Sequence, residues 1–421
     1  MEWKEYKYTD LCTLIGGGTP KTSESSYWGG GIPWLSVKDF GNDGKYVYST
    51  EKTITETGLN NSSTKLLKKD DIIISARGTI GAIAMLSSEM AFNQSCFGIR
   101  SNELVDQHYL YYLTKTKIAE LQKNSHGSVF DTITRETFAK LDCQIPPIEL
   151  QKVIASILSA LDDKIEVNRR INDNLEQQAQ ALFKSWFVDF KPFRDQPFVE
   201  SELGMIPEGW RVGRYEEIIE TTISGDWGKE KPEGNYIHKV ACIRGCDFQD
   251  IKNGLRGNTP ERYILEKNYQ SKYFHHNDVL VEISGGTQTV STGRVCLVSQ
   301  LLIDKFNADI VCTNFCRVIR PIAAYAAYLY YSWLYKYNGK VMFGYENGTS
   351  GIKNFRIKDF ISVEPVVIPP ANLLGKFQQF VDNVQIQIQT KGSESHRLAQ
   401  LRDTLLPRLM SGEIKVGDVT L

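Results

Sequence analysis

A chain of 421 residues with ordinary hydrophobic content has room for two or three domains with substantial cores. No apolar run approaches the roughly 18 residues of a membrane span, and the start MEWKEYKYTD lacks the basic and apolar parts of a signal peptide, so a cytoplasmic protein is expected. The formal net charge of −1 gives no global attraction to a polyanion, so any nucleic-acid binding has to rest on locally placed Lys and Arg or on a more basic partner.

The first segment, residues 1 to 145, reads as mixed strand and loop. After an apolar run from Leu11 to Ile15 comes GGGTPKTSESSYWGGGIPWLSVKDF, Gly16 to Phe40, whose six glycines and two prolines predict irregular backbone. Strands are predicted at Ile32 to Val37, Asp71 to Ser75 and Gly81 to Leu86, and a helix at Tyr109 to Gln122. A Gly/Ser/Thr loop, HGSVFDTIT, leads to a last strand-like run ending at Ile145.

Pro146-Pro147 then opens a long helix, residues 146 to 192. Leu150, Ile154, Ile157, Leu161, Ile165, Ile171, Leu175, Leu182 and Trp186 fall mostly three and four apart, one narrow apolar stripe over roughly 57 Å at about 1.5 Å per residue. Such a stripe needs a partner. Residues 369 to 421 supply one: Ile368-Pro369-Pro370 repeats Ile145-Pro146-Pro147, and a constant offset aligns Leu150 with Leu373, Ile154 with Phe377, Leu161 with Val384 and Leu182 with Leu405. Gly392-Ser393 and Pro407 are predicted to break or kink this second copy. Trp186 and Phe187 are better explained as packing, and are also where a hinge between the helix and the second module is expected.

Residues 193 to 204 form a linker, and residues 205 to 368 replay the first segment. DVLVEISGGT at Asp278 matches DIIISARGT at Asp71, CTNFCRVIR at Cys312 matches the NQSCFGIR that ends at Arg100, and YLYY recurs at Tyr109 and Tyr328. The intervening loops do not match. Like scaffolds with unlike loops predict two modules doing one kind of job on two different targets.

Catalytic patterns fail one by one. The Gly16 to Gly18 loop lacks the Gly-Lys-Ser/Thr ending of a P-loop, and neither Pro-Pro pair carries the Asn/Asp and aromatic neighbours of an adenine methyltransferase. Asp278 and Glu282 resemble the start of a metal-dependent nuclease motif, but Ser284 stands where a Lys is needed. Cys242/Cys246 and Cys312/Cys316 are better placed to fill a core than to bind zinc. Neither catalytic, cofactor-binding nor metal-binding residues are assigned.

Polar and aromatic residues off the apolar stripes remain. They are Lys21, Tyr27, Trp28, Lys38, Arg77, Asn93, Gln94 and His126 in the first module, and Trp227, Lys229, Lys231, Arg244, Arg256, Arg262, Gln288, Arg294, Asn314, Tyr345, Asn347 and Lys353 in the second. Arg, Lys, Asn and Gln read base edges in the major groove and Lys and Arg neutralise phosphates, so these are the candidate DNA contacts. Arg169, Arg170, Gln177, Gln178 and Lys184 on the outer faces of the first long helix are candidates for docking a partner protein.

Taken together, GGGTPKTSESSYWGGGIPWLSVKDF, DIIISARGTIG, AFNQSCFGI, the segment from Ile145 to Phe193, IPEGW and LRDTLLPRLMSGEI resemble the specificity subunits of Type I restriction-modification systems over nearly the whole chain. The resemblance implies an α+β protein in which two mixed α/β target-recognition domains are separated by two long antiparallel helices forming a coiled coil, with an internal pseudo-two-fold repeat. It implies double-stranded DNA as ligand, each domain reading half of a bipartite target, and the helices as a spacer. It further implies two modification subunits and two restriction subunits as partners, which bind the S-adenosylmethionine, ATP and Mg that this chain does not, and no membrane. An orphan specificity protein, acting only as a regulatory or domain-exchange partner of modification subunits, is the alternative.

Overall fold

A computed structural model describes residues 3–40, 44–125, 132–306, 308–348 and 351–418. The chain divides into two units, one of residues 1–167 and 397–421, the other of residues 168–396. Each unit therefore owns part of each long helix.

In unit 1, β1 (Lys4–Lys7) pairs antiparallel with β8 (Asp142–Ile145), bringing the ends of the segment together. Between them run β2 (Cys12–Gly16), β3 (Trp28–Leu35), β4 (Ile72–Ser75), β5 (Ile83–Leu86), β6 (Met90–Phe92), β7 (Cys96–Ser101) and α1 (Gln107–Ser125). One sheet has the order β2-β7-β4-β5 and closes on Tyr46–Val47; a second places β3 beside β6 in parallel. The sequence predicts a strand only from Ile32, after irregular backbone at the glycines, yet Gly29, Gly30 and Gly31 already lie inside β3. The strand accommodates them with a register shift between Trp28 and Ile32, both of which pair with Ile54.

α2 (Ile148–Phe187) follows without interruption for 40 residues. Unit 2 then repeats the plan. β9 (Arg211–Arg214) opens the segment, and β10 (Ile219–Ser224), β11 (Tyr236–Ile243), β12 (Val279–Glu282), β13 (Val295–Leu297), β14 (Asp309–Cys312), β15 (Cys316–Pro321) and α3 (Ala326–Asn338) follow. β16 (Pro365–Ile368) pairs with β9, the sheet order is β10-β15-β12-β13, and β11 runs parallel to β14 as β3 does to β6. The repeat extends to side chains. Arg100 Nε donates to Asp71 (2.8 Å) and Arg320 Nε to Asp278 (2.9 Å). Tyr8 stacks on Phe138 at 5.4 Å and 27°, and Tyr215 on Phe360 at 5.0 Å and 28°.

α4 (Ala371–Met410) is also an unbroken 40-residue helix, so the break predicted at Gly392 does not occur. Gly392 instead receives the turn at Gly254: a Cβ there would lie 2.3 Å from the Gly254 carbonyl oxygen, closer than any side chain permits. The helices run antiparallel within unit 2, where Asn168 Nδ2 donates to Glu394 Oε2 (3.1 Å) and Phe183 meets Phe377 further on. In unit 1 the buried faces combine Ile154, Leu158 and Leu161 of α2 with Leu405 and Leu409 of α4. The predicted stripe needs one correction. Ile171 is 36% exposed, and the buried positions at mid-helix are Asn168 and Asn172. Their partners, Glu394 and the carbonyls of Asn253 and Ile388, are polar groups contributed by other segments. At the end of α2 the expected packing is found: Phe187 lies among Phe183, Trp210, Tyr328 and Phe377 in the core of unit 2.

Lys305 joins the same seat, donating from Nζ to the carbonyls of Gly254 (2.6 Å) and Gln389 (2.9 Å) and to Gln389 Oε1 (2.6 Å). Burial pushes its ammonium down from 10.5 to about 8. Between those two values the unfolded chain binds more protons than the folded one, so this group makes stability rise with pH from about 8 to about 10.5. Denaturation midpoints on either side of that window are expected to rise less in Lys305→Met than in the unaltered chain; equal rises would show that the ammonium is not held in a desolvated site.

Candidate nucleic-acid interface

The strand directions gather the loops. β2 and β4 end, and β7 begins, at one edge of their sheet, and the parallel pair β3 and β6 ends there too, because Asn93 follows β6 and Cys96 opens β7. In unit 2 the same edge collects the ends of β10, β11, β12 and β14 and the start of β15.

At that edge each unit builds the same turn. The Ser95 N–H donates to Asn93 Oδ1 (3.1 Å) and the Phe315 N–H to Thr313 Oγ1 (3.3 Å). The carbonyl of Ser95 accepts from the Ala76 N–H and that of Phe315 from the Ile283 N–H, both at 2.8 Å. Gly17 and Gly225 cross these turns so closely that a Cβ would come within 2.1 Å of the Asn93 carbonyl oxygen and 1.9 Å of that of Thr313. The backbone is thus pinned from three sides, while Gln94 and Asn314 stand exposed at the crest.

In unit 1 the geometry brings Lys21, Trp28, Asn93 and Gln94 together. The Trp28 indole N–H donates to the Lys21 carbonyl (3.3 Å), its ring meets Trp34 edge-on at 5.1 Å, and Thr19 Oγ1 donates to Gln94 Oε1. Arg77 is exposed on the adjoining loop, and Lys38 is exposed in the turn after β3. Tyr27 is half-buried, with its carbonyl capping Thr55 (3.0 Å). His126 lies outside the described residues.

In unit 2 several candidate cations are already engaged. Arg294 forms a bidentate pair with Glu282 (2.7 and 2.6 Å), and that carboxylate raises the guanidinium above its ordinary range. Arg244 is bound to Asp247 (3.1 and 3.0 Å) with the same effect, in a local turn that Ser36 and Asp39 reproduce in unit 1. Lys353 pairs with Glu346 (2.8 Å) and Tyr345 donates to Glu364 (2.8 Å). Asp278 and Glu282 are therefore arginine partners rather than the start of a nuclease motif. Arg262 lies 3.8 Å over the Trp227 ring and pairs with Glu230 (3.1 Å); Lys229 is near Glu233 (3.5 Å), and Arg256 lies 4.9 Å over Phe306. Lys231, Gln288, Asn314 and Asn347 are exposed. Of the paired cysteines, Cys242, Cys312 and Cys316 are buried but Cys246 is exposed, so only three fill the core. Among the described residues no cluster of three or more His, Cys, Asp or Glu is placed to hold a metal ion, and no helix is long and apolar enough to cross a membrane.

On α2, Arg169, Arg170, Gln177, Gln178 and Lys184 are all exposed; Arg169 pairs with Asp173 (2.9 Å) and Lys184 with Asp189 (2.6 Å). Two side chains at the loop edges escaped the sequence reading. Lys52 lies 5.8 Å over Trp28, and Phe315 stands at the tip of the unit 2 turn, where aligning NQSC with TNFC would have found it.

Two like scaffolds presenting unlike polar loops, each completed by part of two shared helices, define a binding protein with two different faces. Residues 1–177 match the family described as the Type I restriction modification DNA specificity domain. The chain is 31% identical, over 99% of its own length and 95% of the relative's, to the Type I restriction enzyme MjaIX specificity subunit of Methanocaldococcus jannaschii. It is 25% identical to the HindI specificity subunit of Haemophilus influenzae, covering 98% of this chain and all of that one. Its fold is similar to the crystal structure of a Type I restriction-modification S subunit from M. genitalium, with a TM-score of 0.53, 14% identity and coverage of 97% and 96%. The chain belongs to the Type I restriction enzyme specificity subunits.

Proposed function

We propose that this chain is the non-catalytic DNA-recognition subunit of a Type I restriction-modification complex, with residues 1–145 and 205–368 each reading one half of a bipartite target. The observation that carries this reading is the duplicated pinned turn with different side chains at its crest, since a fixed platform with variable contacts is what two unlike half-sites require. Gln94 and Asn314 have the amide chemistry that pairs with adenine, and Lys21, Arg77, Lys229 and Lys231 have the charge that meets phosphates. α2 and α4 set the separation of the half-sites. Arg169, Arg170, Gln177, Gln178 and Lys184 belong to the surface that docks two modification subunits, whose bound S-adenosylmethionine supplies the methyl group. Two restriction subunits, with ATP and Mg, complete the complex. A near-neutral chain then needs these partners for part of the phosphate neutralisation.

Methylome sequencing of the host with and without the gene tests this. Adenine methylation at one asymmetric bipartite sequence is expected to vanish on deletion, and an unchanged methylome would refute the assignment.

A further inference from the structure

The pinned turn presents two side chains in each unit, Gln94 with Ser95 and Asn314 with Phe315. The backbone bonds that hold the second position are the same in both copies: its N–H is bound by the residue two before it, and its carbonyl by Ala76 in unit 1 or Ile283 in unit 2. The scaffold thus fixes where this side chain starts and leaves its chemistry open. In unit 1 it is a hydroxyl. In unit 2 it is a phenyl ring, 62% exposed, at the crest of an edge otherwise furnished with amides and paired charges.

An aromatic side chain left this exposed gains little from folding. It lies next to Asn314, and its carbonyl is tied to Ile283, directly before Ser284. On the reading proposed above, this edge enters a DNA groove. In the major groove the one apolar feature of a base edge is the 5-methyl group of thymine, and a Phe is a suitable contact for it. We propose that Phe315 is a specificity-determining residue of unit 2 and reads the methyl group of a thymine in that unit's half-site, with Ser95 as its polar counterpart in unit 1. This rests on the DNA-recognition reading and narrows it to one base feature.

The test uses the specificity subunit assembled with its modification subunits and duplexes of the methylome-defined target, each with one thymine replaced by deoxyuridine. One such replacement, in a single half-site, is expected to weaken binding about fourfold, the worth of one methyl group removed from water. Phe315→Ser is expected to bind the thymine and uracil duplexes alike at that position while keeping its discrimination in the other half-site; Phe315→Leu is expected to retain part of the preference. If no replacement depends on residue 315, the assignment falls while recognition of the target stands. A ring that instead wedges between base steps would weaken both duplexes equally in Phe315→Ser and brighten 2-aminopurine beside the site, which also overturns it. Failure of the unaltered complex to distinguish its target from a scrambled duplex would overturn the DNA reading itself, and Phe315 with it.

Discussion

Arg402→Met is expected to destabilise unit 1 by about 3–5 kcal/mol, the usual consequence of leaving one member of a buried ion pair alone. Arg402 Nη1 donates to Asp162 Oδ1 at 2.6 Å, and the two side chains are only 7% and 4% exposed. Asp162 Oδ2 accepts from the Tyr112 hydroxyl at 2.6 Å. Burial first, and the neighbouring carboxylate second, hold that phenol far above its ordinary range, so it stays a donor at neutral pH. Without Arg402 the carboxylate keeps the Tyr112 hydrogen bond but loses its directly bonded cation, leaving only the more distant charge of Lys45. Replacing both partners, as Asp162→Leu with Arg402→Met, is expected to recover stability to within about 1 kcal/mol of the unaltered chain, because the desolvation penalty disappears with the charges. Hydrogen exchange of the α1 amides measures both. A loss under about 1 kcal/mol in the single variant would mean that water reaches Asp162.

The second large effect concerns spacing. Four residues inserted after Val167 in α2, with four after His396 in α4, add about 6 Å to each helix and slightly more than one turn, so the side-chain faces nearly keep their phase. The insertions face each other, because Asn168 meets Glu394 and Ser395. The methylated sequence is expected to keep both half-sites and to gain about two base pairs of spacer, at about 34–36 Å per turn of 10–10.5 base pairs. Affinity for the original target is expected to fall by a factor on the order of 100 or more, since its two halves can no longer be engaged together. Methylation that continues at the original spacing would show that the helices do not set it.

Much of this architecture is legible in the sequence because it is written twice. Apolar spacing marks α2 and α4, and the anchors at Asp71, Asp278, YLYY and Cys316 align the two units from the sequence alone. Where reading failed, the deciding group came from elsewhere in the chain. Gly392 looks like a helix breaker until Gly254 is seen resting on it, and Asn168 and Asn172 look like surface residues until Glu394 and the Asn253 and Ile388 carbonyls meet them. The candidate cations divide in the same way. Arg244 and Asp247 are three residues apart and could have been recognised as a local turn, whereas Arg294 reaches Glu282 only because β12 and β13 pair. Phe315 reads as core because it stands in an apolar-looking run, and only its alignment with the polar Ser95 marks the position as one that faces outward.

The division of the helices between the units also bears on the order in which the protein is made. Unit 2 is one continuous stretch of chain, but the core of unit 1 includes Leu405, Leu406, Leu409 and Met410, which follow all of unit 2 in the sequence. On the ribosome, domains generally fold from the N-terminus onward. Here the core of the segment synthesised first stays incomplete until the last stretch of α4 emerges. The unit that begins earliest is completed last.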